Sequence, residues 1–525
     1  MSPVYKNLTR RTRLWILLGA VGVLIAVVIS VLLSIPIRSA ALKARVIVML
    51  TDQLESEVTI ETLQGRIFPR VGVSGTGVVI RHKGRTDVPP LITIDEFEIR
   101  GSLRDLMQHP RRVSEVRLKG LQVKIPPGDD DAEPKAEQVE KTAAETEAQA
   151  RRMNRVIIDR FEAPDTVITL IPRKAGKQPK VFTVHHLVMD SLGIGQTIPY
   201  IATLTNPVPK GQIETSGTFG PWNVAHPART PITGKYVFAN ANLDTINGLA
   251  GVLSSAGDFR GPINRIEVQG VTDTPKFQVD AGGLPVPLKT RFTAVVDGSD
   301  GDTYLEQVDA SFLDTSMTAR GAVIGTEGIP GRRIELDVVM EQGRIEDLLR
   351  LAVESENPIL LGAARLNAKL VIPPEKKKVI DKLQLNGEFT LSQAKFTDPG
   401  VQTKLIGLSR RGRGMAEDEN VGDVLSNLRG RFIVQNAEAR FSSLNFSVPG
   451  AAVELAGNYN MRNETLDFRG KLKLQATLSQ VAGGGVKGFF LKAIDPFFKG
   501  RDAGTVLPIK ITGSRKSPKF GLDMF

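Results

Sequence analysis

The sequence predicts a mainly β protein of antiparallel strands with one apolar face, tethered by a single amino-terminal transmembrane helix. Three observations lead there. A five-residue phrase, apolar, polar, apolar, any residue, glycine, occurs six times along the chain. An early run of residues carries no charge at all. No constellation of catalytic side chains closes anywhere in the remainder.

The uncharged run comes first in the chain. Leu14 to Ile35 is a stretch of 22 residues without a charged side chain. At 1.5 Å rise per residue such a helix is about 33 Å long, enough to cross a bilayer's hydrocarbon core. A cleaved signal peptide has an apolar region of only about 7–15 residues, so the run predicts an uncleaved signal anchor. Trp15 sits at its amino-terminal edge, where an amphipathic ring suits the interface. Lys6, Arg10, Arg11 and Arg13 precede the run, and Arg38, Lys43 and Arg45 follow it. Positive charge prefers the cytoplasmic side, which places the leader 1–13 in the cytoplasm and the bulk of the chain across the membrane. There are no cysteines, so no disulfide framework supports the fold. A bacterial inner membrane, crossed once, with the bulk in the periplasm is the simplest fit.

The strands follow. The repeated phrase reads Val116-Arg-Leu-Lys-Gly120, Ile266-Glu-Val-Gln-Gly270 and Leu383-Gln-Leu-Asn-Gly387. It recurs as Val453-Glu-Leu-Ala-Gly457, Leu466-Asp-Phe-Arg-Gly470 and Ile509-Lys-Ile-Thr-Gly513. Side chains alternate faces along a strand, so each phrase is a strand end with one apolar and one wet face. The closing glycine then frees the backbone for a turn or bulge. Ile92 and Ile94 are followed, after a one-residue slip, by Phe97 and Ile99, and the pattern shifts again at Gly120. Such slips mark bulges or turns between paired strands. In the last third, Phe432 and Val434, then Leu444, Phe446 and Val448, then Val453 and Leu455, alternate with polar neighbours. Leu466 and Phe468, then Leu472 and Leu474, continue the alternation, so this third reads as an antiparallel meander, apolar on one face.

Short helices interrupt the strands. Ser102–Met107 and Arg344–Leu349 echo one another, and the second continues with helical spacing to Ala352. Leu243, Ile246, Leu249 and Leu253 predict a third helix, capped by Asp244 or Thr245. Residues 129–152 are charged, rich in alanine and glutamate and lack an apolar face, which makes them a linker. The regions are therefore a β region over 36–128, the linker 129–152, a middle β region over 153–372 and a carboxy-terminal β region over 373–525. The segment 486–499 departs from the strand pattern. Its Phe489, Phe490, Ile494, Phe497 and Phe498 gather on half of a short helix, with Lys487, Lys492 and Lys499 nearby. Two readings stay open for that helix: a cap folded over the end of the sheet, or an amphipathic element meeting a membrane.

Composition excludes several functions. The formal net charge is +11 and the isoelectric point 9.6, but four of those positive charges lie in the leader. No aromatic-basic stripe suited to stacking bases is present, which argues against nucleic acid as a partner. Lys376-Lys-Lys378 and Arg410-Arg-Gly-Arg413 read as solvated turns. His185 and His186 are adjacent on a predicted strand, point to opposite faces and could not grip one metal together. Gly72-Val-Ser-Gly-Thr76 lacks the last glycine of a nucleophile elbow. Asp297-Gly-Ser-Asp-Gly-Asp302 has Asp302 where a calcium loop needs glycine, and reads better as a hairpin turn. No catalytic residue, metal ligand or cofactor site is assigned, and an enzyme is not expected.

The carboxy-terminal text resembles the AsmA-like family of envelope proteins, relatives of the bridge-like lipid transfer proteins. It runs Gly430-Arg-Phe-Ile-Val-Gln-Asn436, Phe446-Ser-Val-Pro-Gly-Ala451, Val453 to Tyr459 and Leu466 to Gly470. Leu507-Pro-Ile-Lys-Ile-Thr-Gly513 and Pro518-Lys-Phe520 complete it. The run Ile92 to Ile125, with its Ser102–Leu106 step, and the single anchor are similar to that family's amino-terminal pattern. The resemblance implies an elongated, curled antiparallel β-sheet forming an apolar groove in the periplasm. It further implies that the groove binds or conducts phospholipid between inner and outer membrane, with the outer membrane or an envelope protein as a further partner. Val116, Leu118, Ile266, Val268, Leu383, Leu385, Val453, Leu455, Leu466, Phe468, Ile509 and Ile511 are expected to share its concave face. The alternative is a structural factor for outer-membrane assembly, whose apolar face packs on protein instead of lipid.

Overall fold

The computed structural model describes residues 39–125, 156–476 and 504–523, with short internal gaps. Those gaps are 55, 67–70, 83–89, 103, 106–110, 171–179, 194, 222, 224–228, 247, 280–282, 299–300, 327–328, 353–356, 376, 378, 416–423 and 515–516. The expected leader and anchor, the linker 129–152 and the helix 486–499 lie outside the described residues. Among the described residues no helix is long and apolar enough to cross a membrane. The chain is mainly β, with one large mixed sheet and few helices. It folds as two compact units, the first Met1–Asn242 with Ser254–Gly270 and Val295–Gly301, the second Leu243–Leu253, Val271–Ala294 and Asp302–Phe525.

The first unit opens with helix α1 (Ser39–Leu54) and strands β1 (Ser56–Thr59), β2 (Thr62–Arg66), β3 (Val71–His82) and β4 (Ile92–Gly101). Next come β5 (Arg111–Lys119), β6 (Gln122–Ile125), β7 (Val156–Glu162), β8 (Thr166–Leu170) and β9 (Lys180–Leu192). The long strands β10 (Ile198–Pro207), β11 (Lys210–Phe219) and β12 (Pro231–Asn242) follow. β3 pairs antiparallel with β1, β2 and β4, and β4 pairs with both β5 and β6. β5 and β6 are thus one strand line broken at Gly120. That residue has a φ of 66°, and its Cβ position is taken by the Asp95 carboxylate. The expected shift at Gly120 is a break within a line, because only glycine accepts this backbone without strain.

One expectation needs correction here. The strands were expected to be antiparallel, but β5 pairs with β7 and β6 with β8 in parallel. Parallel neighbours need a crossover of a dozen or more residues to carry the chain back. Residues 126–155 are long enough to do so.

The sheet here is closed on one side. Val46 and Leu50, one helical turn apart on α1, are 1% and 0% exposed and pack with Val58, Leu63, Ile80, Ile92, Ile94, Val116 and Leu118. Burying such aliphatic side chains contributes about 1.5–3 kcal/mol each relative to leaving them exposed. α1 also sits against β1 and β2 and so covers a sheet edge that would otherwise be open.

Next in the chain come β13 (Leu249–Ala250), β14 (Val252–Pro262), β15 (Ile266–Val279) and β16 (Val286–Val296). The expected helix over Leu243–Leu253 is corrected to one 3-10 turn, Leu243–Thr245, after which Leu249 and Leu253 enter strands. Gly248 and Gly251, at φ 90° and 122°, divert the backbone before a second helical turn can form.

The second unit is a meander. β17 (Thr303–Phe312), β18 (Thr315–Thr326), β19 (Ile329–Arg344), β20 (Leu360–Ile372) and β21 (Gln384–Phe396) each pair antiparallel with the next. β22 (Ser426–Gln435), β23 (Glu438–Val448), β24 (Ala451–Asn460), β25 (Thr465–Leu474), β26 (Thr505–Ser514) and β27 (Ser517–Leu522) continue it. Three helices interrupt the strands: α2 (Ile345–Ala352), α3 (Val379–Lys382) and α4 (Pro399–Arg413). α2 lies where the echo of Ser102–Met107 predicted it. α4 replaces the expected solvated turn at Arg410–Arg413. The Asp398 side chain accepts from Val401 N, Pro399 opens the helix, and three arginines crowd the last turn, where the helix dipole favours cations.

Candidate functional site

The apolar face of the second unit is the candidate site, and the strand register builds it row by row. Leu336, Leu370, Leu385, Val434, Ala439, Tyr459 and Leu466 stand opposite one another across β19 to β25. One step along lie Val338, Ala368, Gly387, Phe432, Phe441, Gly457, Phe468 and Ile511. The third row is Met340, Leu366, Phe389, Gly430, Leu444, Leu455, Gly470 and Ile509. The fourth is Ala364, Leu391, Leu428, Phe446, Val453, Leu472 and Leu507. No charged side chain occurs in any row.

Helices seal one end of this face. Met340, Leu360, Leu391 and Ala394 pack with Ile345, Leu348 and Leu349 of α2. Val448, Ala451 and Leu474 pack with Ile406 and Leu408 of α4. Away from that end many of the apolar side chains are half-buried: Leu385, Leu455, Leu466, Ile509 and Ile511 are neither sealed nor free, although Ala368, Val434, Ala439 and Phe468 between them are buried, and the polar neighbours Glu454, Asp467 and Arg469 are exposed. A face covered by a second layer would show buried residues at these positions.

A line of phenylalanine rings crosses the face. Phe389 and Phe432 have ring centroids 6.1 Å apart, Phe432 and Phe441 6.3 Å, and Phe441 and Phe468 5.7 Å, all tilted. These are favoured aromatic separations. The rings stand beside strand glycines: a Cβ on Gly430 would lie 2.8 Å from Phe389 Cε1. Gly387 against β22, and Gly457 and Gly470 across β24 and β25, are therefore interior strand positions in unshifted register, which corrects the expectation that the closing glycine marks a turn or bulge. Sequence reasoning missed Phe389 and Phe441 as face residues. The pattern sought ended on glycine, whereas Phe389 follows Gly387 by two and Phe441 belongs to no such phrase.

The twelve expected face residues separate. Leu385, Val453, Leu455, Leu466, Phe468, Ile509 and Ile511 share the face just described. Leu383 precedes β21 and is half-buried, its N–H donating to Val379 O at 2.8 Å. Ile266 and Val268 are half-buried on β15. Val116 and Leu118 are corrected: they are 0% and 1% exposed in the core closed by α1 and do not line an open face. The expected cap or membrane helix, Phe489, Phe490, Ile494, Phe497 and Phe498, lies outside the described residues.

The opposite face is charged and largely self-paired. In the first unit Arg100 binds Glu98 at 2.7 Å and Glu115 at 2.9 Å, and Arg160 binds Glu162 at 2.7 Å. The hydrogen bond from Arg160 holds the Glu162 carboxyl below the usual carboxylate range. In the second unit Lys369 binds Glu335 at 2.7 Å, which lowers the carboxyl and raises the amine. Such exposed pairs fix register more than they stabilise. The carboxylate of Asp302 is engaged by Arg332 Nη1 at 2.9 Å and Gly325 N at 2.8 Å. His185 is the extra residue of a bulge on β9, and both it and His186 are exposed. Among the described residues no group of three or more His, Cys, Asp or Glu stands close enough to hold a metal. What the face offers chemically is apolar contact.

Comparison with known proteins finds no protein family, no curated protein and no solved structure that matches the chain.

Proposed function

We propose that this chain is an AsmA-like envelope protein, anchored in the bacterial inner membrane by Leu14–Ile35, whose apolar sheet face binds or conducts phospholipid. In this reading the sheet is elongated and curls, so that the face forms a trough for acyl chains, with the bulk of the chain in the periplasm. The observation that carries the reading is the set of four uncharged rows, many of whose side chains, Leu385, Leu455, Leu466, Ile509 and Ile511 among them, are only half-covered by protein. Each CH2 group removed from water contributes about 0.8 kcal/mol, so a long apolar trough holds acyl chains without a catalytic pocket.

The test places a charge in the rows. Leu385→Asp and Leu455→Asp, each in the full chain, should sharply reduce the phospholipid that co-purifies, read by mass spectrometry, while circular dichroism stays that of a β protein. Unchanged lipid in both variants would favour the structural assembly factor, whose face packs on protein.

A further inference from the structure

Each unit has an apolar sheet face of its own, and the two differ chemically. In the second unit the rows are hydrocarbon, apart from the Met340 thioether and the Tyr459 hydroxyl. In the first unit, four hydroxyls gather on the sheet face. Tyr200 on β10, Thr215 on β11, Tyr236 on β12 and Ser255 on β14 stand at the same-face positions of neighbouring strands, with Thr215 directly opposite Tyr236. Tyr200 OH lies 3.4 Å from Thr215 Oγ1, and Tyr236 OH lies 3.1 Å from Ser255 Oγ. The Tyr200 ring crosses the strand to bring its hydroxyl over Gly234, where a Cβ would stand 2.8 Å from the oxygen.

Counting hydrogens shows that the cluster is not closed on itself. Thr215 donates to Lys235 O at 2.9 Å, so the contact with Tyr200 must run from the tyrosine to Thr215. At 3.4 Å that bond is long for O–H···O, whose usual range is about 2.5–3.0 Å. Between Tyr236 and Ser255 one hydrogen bridges the two oxygens, which leaves the other hydroxyl hydrogen to be accepted from outside the pair, and no acceptor for it stands among the described residues. Tyr200 and Ser255 are each 8% exposed, so an unspent donor here is costly unless something accepts it. The surrounding same-face residues, Ile213, Gly217 and Phe238, carry no charge.

We propose that these four hydroxyls form a polar station on the apolar face that donates to the ester carbonyls of a bound glycerolipid. Neutral donors without a nearby same-face cation suit a neutral carbonyl better than a phosphate, which would call for lysine or arginine. The station holds the junction between the acyl chains and the glycerol, while the apolar side chains beside it on the same face of the first unit, Ile213 and Phe238 among them, take the chains. This inference rests on the lipid-binding reading above and adds to it which part of the lipid is recognised.

The test uses the full chain in detergent and two phosphatidylethanolamines of equal chain length, one ester-linked and one ether-linked. The ether lipid keeps the phosphate and the chains but lacks the carbonyls. The unaltered protein should bind the ester lipid about three- to tenfold more tightly, the effect of one or two hydrogen bonds. The double variant Tyr200→Phe, Tyr236→Phe keeps both rings and should lose that preference by weakening the ester lipid alone. Equal binding of the two lipids by the unaltered protein would overturn the station while leaving lipid binding standing. A double variant that keeps the preference, or that loses both lipids together, would also overturn it. Failure of the unaltered protein to bind either lipid would remove the lipid-binding reading itself, and the station with it.

Discussion

Gly457 on β24 lies directly opposite Phe468 on β25, and a Cβ added to the glycine would stand 2.6 Å from the phenylalanine Cα. The absent side chain is what lets the two strands carry the Phe441–Phe468 ring contact across the apolar face. Replacing Gly457 by valine forces those rings or the backbone aside. Overpacking of this kind costs about 1–3 kcal/mol. Chemical unfolding followed by a fluorescent label in the second unit should register that loss.

Gly407 is the opposite case. It lies inside α4, with nothing within 4 Å of its Cβ position. Gly407→Ala should stabilise the helix by about 0.5–1 kcal/mol, since alanine has the smaller backbone entropy loss in a helix. A raised melting temperature in the same assay confirms it. A fall would show that this face of the helix is packed differently.

Asp347 on α2 is a buried carboxylate with defined work. It accepts from Asp314 N at 3.0 Å and from Thr315 Oγ1 at 2.7 Å, and Thr315 Oγ1 in turn accepts from Arg344 N at 2.9 Å. Asp347→Ala strips Asp314 N of its acceptor. A loss of about 1–3 kcal/mol is expected, together with faster hydrogen exchange at Asp314. Thr315→Val should cost a similar amount by freeing Arg344 N.

Burial pushes the Tyr200 and Tyr236 hydroxyls above the ordinary tyrosine value of 10.0. The folded chain therefore resists losing these protons more than the unfolded chain does. Stability from this source is complete below 10.0 and is lost as pH rises toward the folded value. Urea midpoints measured at neutral pH and above pH 10 should show a decline that is shallower in Tyr200→Phe and Tyr236→Phe.

Topology can be tested without the sheet. With Leu14–Ile35 as an uncleaved anchor, protease added to the outer, periplasmic face of the inner membrane should digest the body and spare the leader. A protected body would reverse the orientation.

Much of the strand structure was legible because its cause is local. The slip between Ile94 and Phe97 and the shift at Gly120 both appear as breaks in the pairing of β4. Helix α4 was missed because its three glycines and its arginines suggest a solvated turn, although Val401, Leu405 and Leu408 keep helical spacing. Its end signals were present all the same, in Asp398-Pro399 and in Gly414, whose φ is 70°. The false helix at Leu243–Leu253 shows the converse, a helical spacing of leucines overruled by Gly248 and Gly251.

The sequence by itself determined which side of each strand is apolar, because alternate side chains of an extended backbone point opposite ways wherever the strand ends up. It also determined the absence of charge from the rows that run through Leu385 and Leu455. Only the tertiary structure decided how those faces are covered. Val116-Arg-Leu-Lys-Gly120 and Val453-Glu-Leu-Ala-Gly457 are the same phrase, yet Val116 is sealed in the core beneath α1 and Leu455 stays half-exposed. Burial depends on which distant segment arrives to cover a strand, and five residues hold no record of that. The hydroxyl station has the same origin: Tyr200, Thr215, Tyr236 and Ser255 are spread over four strands and become neighbours only through register.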